Sequence, residues 1–89
     1  MAQIRFTPNM QKHIDCPDVN VPGKTVAEVF KAAFKGNPKT RSYFLDKNGG
    51  LRVHIAVIVD GIPVKDRRKL TDPVGKDGEV YVMQGVPDA

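Results

Sequence analysis

The chain has 89 residues, of which 40% are hydrophobic and 27% are charged, a balance typical of a folded domain rather than of a disordered segment. A domain of this size holds one modest core, which excludes a second domain and disfavours a deep, fully walled catalytic cavity. The 14 Lys and Arg against 10 Asp and Glu give a net charge of +4, which favours acidic partners. We therefore expect residues 1–89 to form a single domain that acts as a binding or carrier protein.

The residue types also exclude several kinds of site and location. The single cysteine, Cys16, cannot form an intramolecular disulfide, and we expect it to be buried. His13 and His54 stand in no metal-ligand spacing, so we expect neither a metal site nor a catalytic residue. No segment has the pattern of a signal peptide, and none approaches the ~20 apolar residues of a transmembrane helix. We expect a cytoplasmic protein without a membrane partner.

Basic residues are spread along the chain rather than clustered. Only Arg67-Arg68-Lys69 forms a run, between Asp66 and Asp72, and no aromatic pair stands beside it. This pattern is more typical of a solvated turn than of a nucleic-acid interface. We expect no nucleic-acid partner.

Two strands are predicted at the N-terminus. Ile4 and Phe6 alternate with polar residues, and Pro8-Asn9 favours a turn after them. A second, irregular strand is predicted to carry the apolar positions Ile14, Cys16, Val19 and Val21.

The main helix is predicted to begin at a capping box formed by Thr25 and Glu28 and to end near residue 35, before Gly36-Asn37-Pro38. Helical spacing places five apolar residues on one stripe: Val26, Val29, Phe30, Ala33 and Phe34. A short helical turn is predicted around Tyr43 to Leu45, packing its aromatic rings on the core.

Three further strands are predicted after the helices. The longest runs from Leu51 to Val59, with its odd-numbered residues on the core face. Asp60-Gly61 is a tight-hairpin signal, so Ile62 to Lys65 should return as a short edge strand. The last strand, Glu79 to Gln84, alternates core and outer residues.

The element order β-β-α-β-β-β predicts an α+β ubiquitin-like β-grasp fold, a mixed four- to five-stranded sheet with one main helix packed across it. The predicted core is Ile4, Phe6, Val26, Val29, Phe30, Phe34, Val53, Ile55, Val57, Val80 and Val82.

Motifs along nearly the whole chain resemble the MoaD/ThiS-like sulfur-carrier family, small relatives of ubiquitin in molybdopterin and thiamine biosynthesis. The matching segments are Gly23 to Val29, Asn37-Pro38, Asp46 to Arg52, His54 to Gly61, Leu70 to Val74 and Asp77 to Val82. The combination of these segments in this order makes the resemblance specific.

The resemblance implies a carrier protein rather than an enzyme. In such carriers, a partner enzyme uses ATP to adenylate the C-terminal carboxylate, which is then converted to a thiocarboxylate. The implied partner is a ubiquitin-activating-like adenylating enzyme or a molybdopterin-synthase-like large subunit. No cofactor is expected on the carrier, since ATP and the sulfur donor would act through the partner.

The C-terminal tail departs from the family pattern, which ends in Gly-Gly. The predicted carrier tail is Gly85, Val86, Pro87, Asp88 and Ala89. Asp88 and Ala89 occupy the two glycine positions, and the Asp88 carboxylate would repel the phosphates of ATP. Three alternatives remain: activation at Ala89, cleavage after Gly85 that exposes a new carboxylate, or a non-carrying ubiquitin-like interaction module that has lost the tail chemistry.

The outer face of the sheet is the second candidate site, because ubiquitin-like folds commonly dock partners there. The residues predicted to project from it are Arg5, Arg52, His54, Ile58, Tyr81 and Met83. Ile58, Tyr81 and Met83 would form an apolar patch surrounded by positive charge, which is typical of an interface. The alternative is that they are ordinary half-exposed sheet residues.

Overall fold

The computed structural model describes residues 1–14 and 16–84. Its elements are β1 (Ala2–Phe6), α1 (Pro8–His13), β2 (Val19–Val21), α2 (Val26–Ala33), α3 (Pro38–Phe44), β3 (Ile55–Val59), β4 (Ile62–Pro63) and β5 (Glu79–Gln84). The five strands form one sheet in the order β2-β1-β5-β3-β4. β5 lies between β1, to which it is parallel, and β3, to which it is antiparallel. The sheet is therefore mixed, as predicted.

The core lies between the sheet and α2. Alternate residues of β1, β3 and β5 are buried, and they meet the buried face of α2, where Val26, Val29 and Phe30 lie. One face of each strand thus faces the helix, as the alternation of apolar residues predicted. Within residues 1–14 and 16–84, no helix has the length and apolar character needed to cross a membrane.

The predicted capping box fixes the start of α2. The Thr25 hydroxyl oxygen accepts a hydrogen bond from the Glu28 amide at 3.3 Å, and the Glu28 carboxylate accepts one from the Lys24 amide at 3.4 Å. Gly23 lies directly against this first turn, since a Cβ added there would stand 2.7 Å from the Val29 nitrogen. Residues 23–28 therefore fix how the chain enters the helix.

Four phenylalanine rings join the helices to the sheet. Phe34, at the end of α2, stacks on Phe44 of α3 with ring centroids 5.4 Å apart, and Phe6 of β1 lies 5.3 Å from Phe44. Phe30 contacts Phe34 at 5.3 Å. The aromatic packing predicted for the segment after the main helix is confirmed at Phe44, which is fully buried.

The N-terminal half contains a helix that the sequence analysis assigned to a turn and the start of a strand. Thr7 caps α1 by accepting a hydrogen bond from the Met10 amide at 3.3 Å, and Pro8 occupies the first helical turn. Met10 is buried on the core side of α1. The second predicted strand is consequently reduced to Val19–Val21. Proline at the start of a helix loses no intrahelical hydrogen bond, which explains why Pro8 permits the helix.

The predicted strand from Leu51 to Val59 is four residues too long at its start, and Val53 was wrongly placed in the core. β3 begins at Ile55, whose amide donates to the Arg52 carbonyl at 3.0 Å in a turn. The Arg67 guanidinium donates to the carbonyls of Arg52 at 2.9 Å and Ile55 at 2.6 Å. This turn directs Val53 outward, where its side chain is 80% exposed.

The hairpin between β3 and β4 is confirmed. Asp60 and Gly61 have φ angles of 49° and 84°, which suit a two-residue turn of type I′. β4 is limited to Ile62–Pro63, shorter than the predicted return strand, and it forms the edge of the sheet. Pro63 has no amide hydrogen to donate to another strand beyond β4, which agrees with the position of β4 at the edge of the sheet.

The loop over residues 65–72 is held by two aspartates that accept backbone hydrogen bonds. The Asp66 carboxylate accepts from the Thr71 hydroxyl at 2.6 Å and from the Lys69 amide at 3.0 Å. The Asp72 carboxylate accepts from the amides of Lys65 and Asp66, each at 2.9 Å. The Thr71 hydrogen bond lowers the pKa of Asp66 below its ordinary value of 3.8, and the Lys65 amide likewise lowers the pKa of Asp72.

These hydrogen bonds predict a loss of stability in acid. A carboxylate with a lowered pKa stabilises the folded state above its unfolded pKa, and the contribution is lost as pH falls through the folded pKa. We expect Asp66→Asn and Asp72→Asn to lower the melting temperature at neutral pH. Below about pH 4, the melting temperature of these variants should fall less steeply with pH than that of the unchanged protein. Circular dichroism melts at several pH values measure both effects. Asp77→Asn, on an exposed turn, serves as the control, and equal acid profiles in all variants would contradict the prediction.

Candidate functional site

The outer face of the sheet carries one continuous cross-strand row. In the strand register, Arg5 of β1 pairs with Tyr81 of β5, Tyr81 pairs with Ile58 of β3, and Ile58 pairs with Pro63 of β4. Side chains directly opposite each other on antiparallel strands lie about 4.5–5.5 Å apart at Cβ, so Tyr81, Ile58 and Pro63 are neighbours across the sheet. Tyr81 and Ile58 are half-buried.

A second rung extends this row toward the end of β5. Met83 pairs with Ala56 of β3, and both are half-buried on the same face as Tyr81 and Ile58. We call Ala56, Ile58, Tyr81 and Met83 the outer patch. The fold thus brings together the three apolar residues predicted for this face, and Ala56 extends them. Their role in partner binding stays a prediction.

The charge beside the outer patch is mixed rather than purely basic. The Arg5 guanidinium lies 3.6 Å from the Glu79 carboxylate, and both side chains are about half exposed, at 49% and 48%. An exposed pair of this kind adds little stability, but it partly neutralises the positive charge that the sequence predicted around the patch. Arg5 therefore presents a paired charge to any partner that docks on the face.

Arg52 and His54 do not share the sheet face, and their predicted strand positions are wrong because β3 begins at Ile55. The Arg52 Nε donates to the Ser42 carbonyl at 2.6 Å, which fixes this side chain beside α3. The His54 ring packs edge-on against Tyr43, with centroids 5.5 Å apart. Both residues therefore lie next to the C-terminal half of α3.

The end of β5 is fixed by two side-chain hydrogen bonds that the sequence analysis did not find. The side-chain oxygen Oε1 of Gln84 accepts from the Asn9 side-chain amide at 3.1 Å, and the side-chain nitrogen Nε2 of Gln84 donates to the Tyr43 hydroxyl at 3.0 Å. These bonds connect the last residue of β5 to α1 and to α3. We call Asn9, Tyr43 and Gln84 the exit clamp. Its signal in the sequence is that Gln84 has the same phase as the core residues of β5 but is polar.

The exit clamp sets the position from which the chain continues into the predicted carrier tail. Gly85, Val86, Pro87, Asp88 and Ala89 lie outside the described residues. Gln84, which precedes them, is held on the helix side of the sheet, while Met83 belongs to the outer patch. The outer patch and the exit clamp are therefore adjacent along β5.

The remaining candidate residues lie away from both features. Cys16 is buried in the core, as expected, with 3% of its surface exposed. In the part of the chain that the structure describes, no three His, Cys, Asp or Glu side chains are grouped so that they could hold a metal ion.

Comparison with known proteins finds similarity in structure only. No family model matches the chain, and no curated protein matches it significantly. The crystal structure of SAMP1 from Haloferax volcanii is similar over 99% of this chain and 98% of that one, with 18% identity and a TM-score of 0.71. A chain in the BexX/CysO complex of Amycolatopsis orientalis matches over 100% of both chains, with 20% identity and a TM-score of 0.74. CysO from Mycobacterium tuberculosis covers 97% of this chain and is fully covered itself, with 15% identity and a TM-score of 0.78.

These matches confirm the fold predicted from the sequence. The neighbours are small ubiquitin-like proteins, and residues 1–14 and 16–84 have their α+β β-grasp architecture. At such identities the similarity establishes the fold, and function requires an argument from the site.

Proposed function

We propose that the protein is a sulfur carrier of the MoaD/ThiS type, acting in the cytoplasm because the activating reaction consumes ATP. The observation that carries this proposal is the similarity to SAMP1 and CysO structures over 99% and 100% of the chain, which leaves no room for an added catalytic unit within these residues. The adjacency of the outer patch and the exit clamp on β5 supports it, because a carrier must dock its partner near the start of its tail.

In the proposed reaction, a carboxylate oxygen of Ala89 attacks the α-phosphorus of ATP and displaces pyrophosphate. The resulting acyl-adenylate is attacked at its carbonyl carbon by a sulfur nucleophile, which forms a C–S bond and releases AMP. Both steps take place in the partner, which binds ATP and the sulfur donor. This chain contributes the carboxylate, the docking face and the held end of β5.

The proposed partner is an adenylating enzyme related to ubiquitin-activating enzymes, or a large subunit similar to that of molybdopterin synthase. One of the similar structures is a complex in which CysO is assembled with BexX, and this assembly is a finding about CysO. By analogy with such assembly, we propose that the outer patch contacts the partner while the tail enters its active site. The pathway could be molybdopterin biosynthesis, thiamine biosynthesis or another, and the partner determines which pathway is served.

The second candidate function is a ubiquitin-like interaction module without carrier chemistry. The observation that favours it is the sequence of the tail, where Asp88 and Ala89 stand at the glycine positions of the family. The Asp88 carboxylate adds a negative charge next to the phosphates of ATP, and Pro87 restricts the backbone beside it. This alternative uses the same outer patch and needs no activation of the tail.

Intact mass of the protein purified from its own host, with fragmentation to locate its C-terminus, tests the proposal. We expect a fraction of the chains to carry one oxygen-to-sulfur replacement at Ala89. The same replacement at a newly exposed Gly85 would support carriage after cleavage. An unmodified chain ending at Ala89, recovered from cells that contain an adenylating enzyme, would contradict carriage and favour the interaction module.

A further inference from the structure

A concave pocket of about 530 Å³ lies on the helix side of the molecule, between α2, α3 and the loop that holds Arg68 and Lys69. Its floor consists of the buried side chains Phe30, Phe34, Leu45 and Leu70. The volume is within the range of ligand pockets in proteins. Because α2 covers the opposite side of the sheet from the outer patch, the pocket is separate from the proposed carrier surface.

Five cationic side chains surround this pocket. They come from α2 and the turn after it, from α3 and from the loop after Asp66, and they are Lys31, Lys35, Arg41, Arg68 and Lys69. All five are exposed, and among the described residues none of them forms an ion pair within 4.0 Å. Among residues 1–14 and 16–84, no carboxylate lines the pocket. We call these five residues the basic rim.

Two carboxylates close to the basic rim along the chain accept hydrogen bonds from backbone amides. Asp46 accepts hydrogen bonds from the amides of Asn48 at 2.8 Å and Gly50 at 3.0 Å. Asp66 accepts from the amides of Arg68 and Lys69 themselves, at 3.2 Å and 3.0 Å. These contacts hold the two turns in place while the basic side chains stay available. The rim therefore carries an excess of positive charge that a ligand can neutralise.

Backbone hydrogen bonds hold the loop that forms one side of the pocket. The Leu70 amide donates to the Asp66 carbonyl at 3.0 Å, and the Ala27 amide donates to the Leu70 carbonyl at 3.0 Å. The loop is thus tied both to itself and to the first turn of α2. A site that is already ordered loses little conformational entropy on binding, so contacts made there contribute more fully to affinity.

We propose that this pocket binds an acidic peptide segment of a partner protein, with one apolar side chain of the segment directed at the floor. The cations project from three segments on long side chains, an arrangement that suits several carboxylates along an extended chain. Single-stranded nucleic acid fits less well, because it binds through aromatic rings that stack on bases. The two rings at this pocket, Phe30 and Phe34, are only 1% and 5% exposed.

Fluorescence anisotropy with a labelled peptide, Glu-Asp-Glu-Leu-Glu-Asp-Glu, tests the proposal at about 0.15 M salt. We expect the triple variant Lys31→Gln, Lys35→Gln and Lys69→Gln to weaken binding about tenfold or more. A second triple variant removes the same charge from exposed lysines outside the pocket, with Lys12→Gln, Lys24→Gln and Lys76→Gln. This second variant should change the affinity for the peptide less than about twofold, because its three lysines lie outside the pocket and their charges are screened by salt.

Two further measurements identify the ligand class. Replacing the central leucine of the peptide by glycine should weaken binding at least about threefold, since the apolar contact is lost. Ile58→Asp on the outer patch should leave peptide affinity unchanged, so that failure of the carrier proposal and failure of this one can be distinguished. Circular dichroism establishes that each variant is folded.

Three results would overturn the proposal. They are the absence of measurable peptide binding, equal losses in the two triple variants, and tighter binding of an oligouridine RNA that competes with the peptide at the basic rim. The second result would assign the effect to net charge alone, and the third would assign the pocket to nucleic acid.

Discussion

Replacing Phe44 by alanine is expected to lower the free energy of unfolding by about 3–5 kcal/mol, a large part of the stability of a small domain. Phe44 is fully buried, and its ring contacts Phe34 at 5.4 Å, Phe6 at 5.3 Å and Tyr43 at 5.1 Å. Removing it leaves a cavity where α3, α2 and β1 meet. Urea unfolding followed by circular dichroism measures the change.

Val53→Ala is the control for this experiment, because the sequence pattern assigns both residues to the interior. The Val53 side chain is 80% exposed, so its truncation should change stability by less than about 0.5 kcal/mol. A loss at Val53 equal to the loss at Phe44 would show that the turn before β3 is wrong and that the strand extends further toward Leu51.

Replacing Ile58 or Met83 by aspartate is expected to abolish binding of the proposed partner while the domain stays folded. Both side chains are half-buried on the outer patch, and a central interface residue commonly contributes about 2 kcal/mol or more, equivalent to about thirtyfold in affinity. A carboxylate at either position would be buried against the partner without a counter-charge. Isothermal titration calorimetry with the adenylating enzyme from the same host measures the loss.

Ile62→Asp is the matched control, because it makes the same substitution in the same sheet. Ile62, on the edge strand β4, pairs with Val59 of β3, whose side chain faces the core. Ile62 therefore lies on the opposite face of the sheet from Ile58. Its side chain is 61% exposed, and the substitution should leave both fold and affinity nearly unchanged. Unchanged affinity in the Ile58 and Met83 variants would remove the outer patch from consideration.

Regular alternation and capping allowed most of the fold to be predicted from sequence. Thr25 and Glu28 marked the start of α2, and Asp60-Gly61 marked the hairpin, because each uses contacts between residues close in sequence. Val53 continued the alternation of β3 without a break. Its exclusion from the strand depends on Arg67, which is distant in sequence and whose guanidinium holds the Arg52 carbonyl.

The start of α1 was misinterpreted for a different reason. Pro8-Asn9 fits a turn, but Thr7 before Pro8 also fits a helix cap followed by proline in the first turn. Six residues are too few for periodicity to separate the two possibilities. The burial of Met10 against the core, a tertiary contact, accompanies the helix.

The candidate sites also contain residues that could be predicted from the sequence and residues that could not. The phases of β1, β3 and β5 predicted the outer positions of Arg5, Ile58, Tyr81 and Met83 correctly, because side chains alternate strictly along a strand. The exit clamp and the basic rim could not be predicted, since they combine residues from separate elements. Asn9 and Gln84, for example, are 75 positions apart in the chain.

The central position of β5 affects the order in which the protein can fold during synthesis. β1 is synthesised before β3 and β5. Both β1 and β3 pair with β5, which consists of residues 79–84, so neither can complete its pairing until β5 has been made. Until those residues leave the ribosome, β1 and β3 each have an open edge, which is the kind of surface that pairs with other chains. Contacts so distant in sequence also slow folding. The nascent chain therefore depends on β5 to close the sheet, and chaperones that shield strand edges would act before β5 emerges.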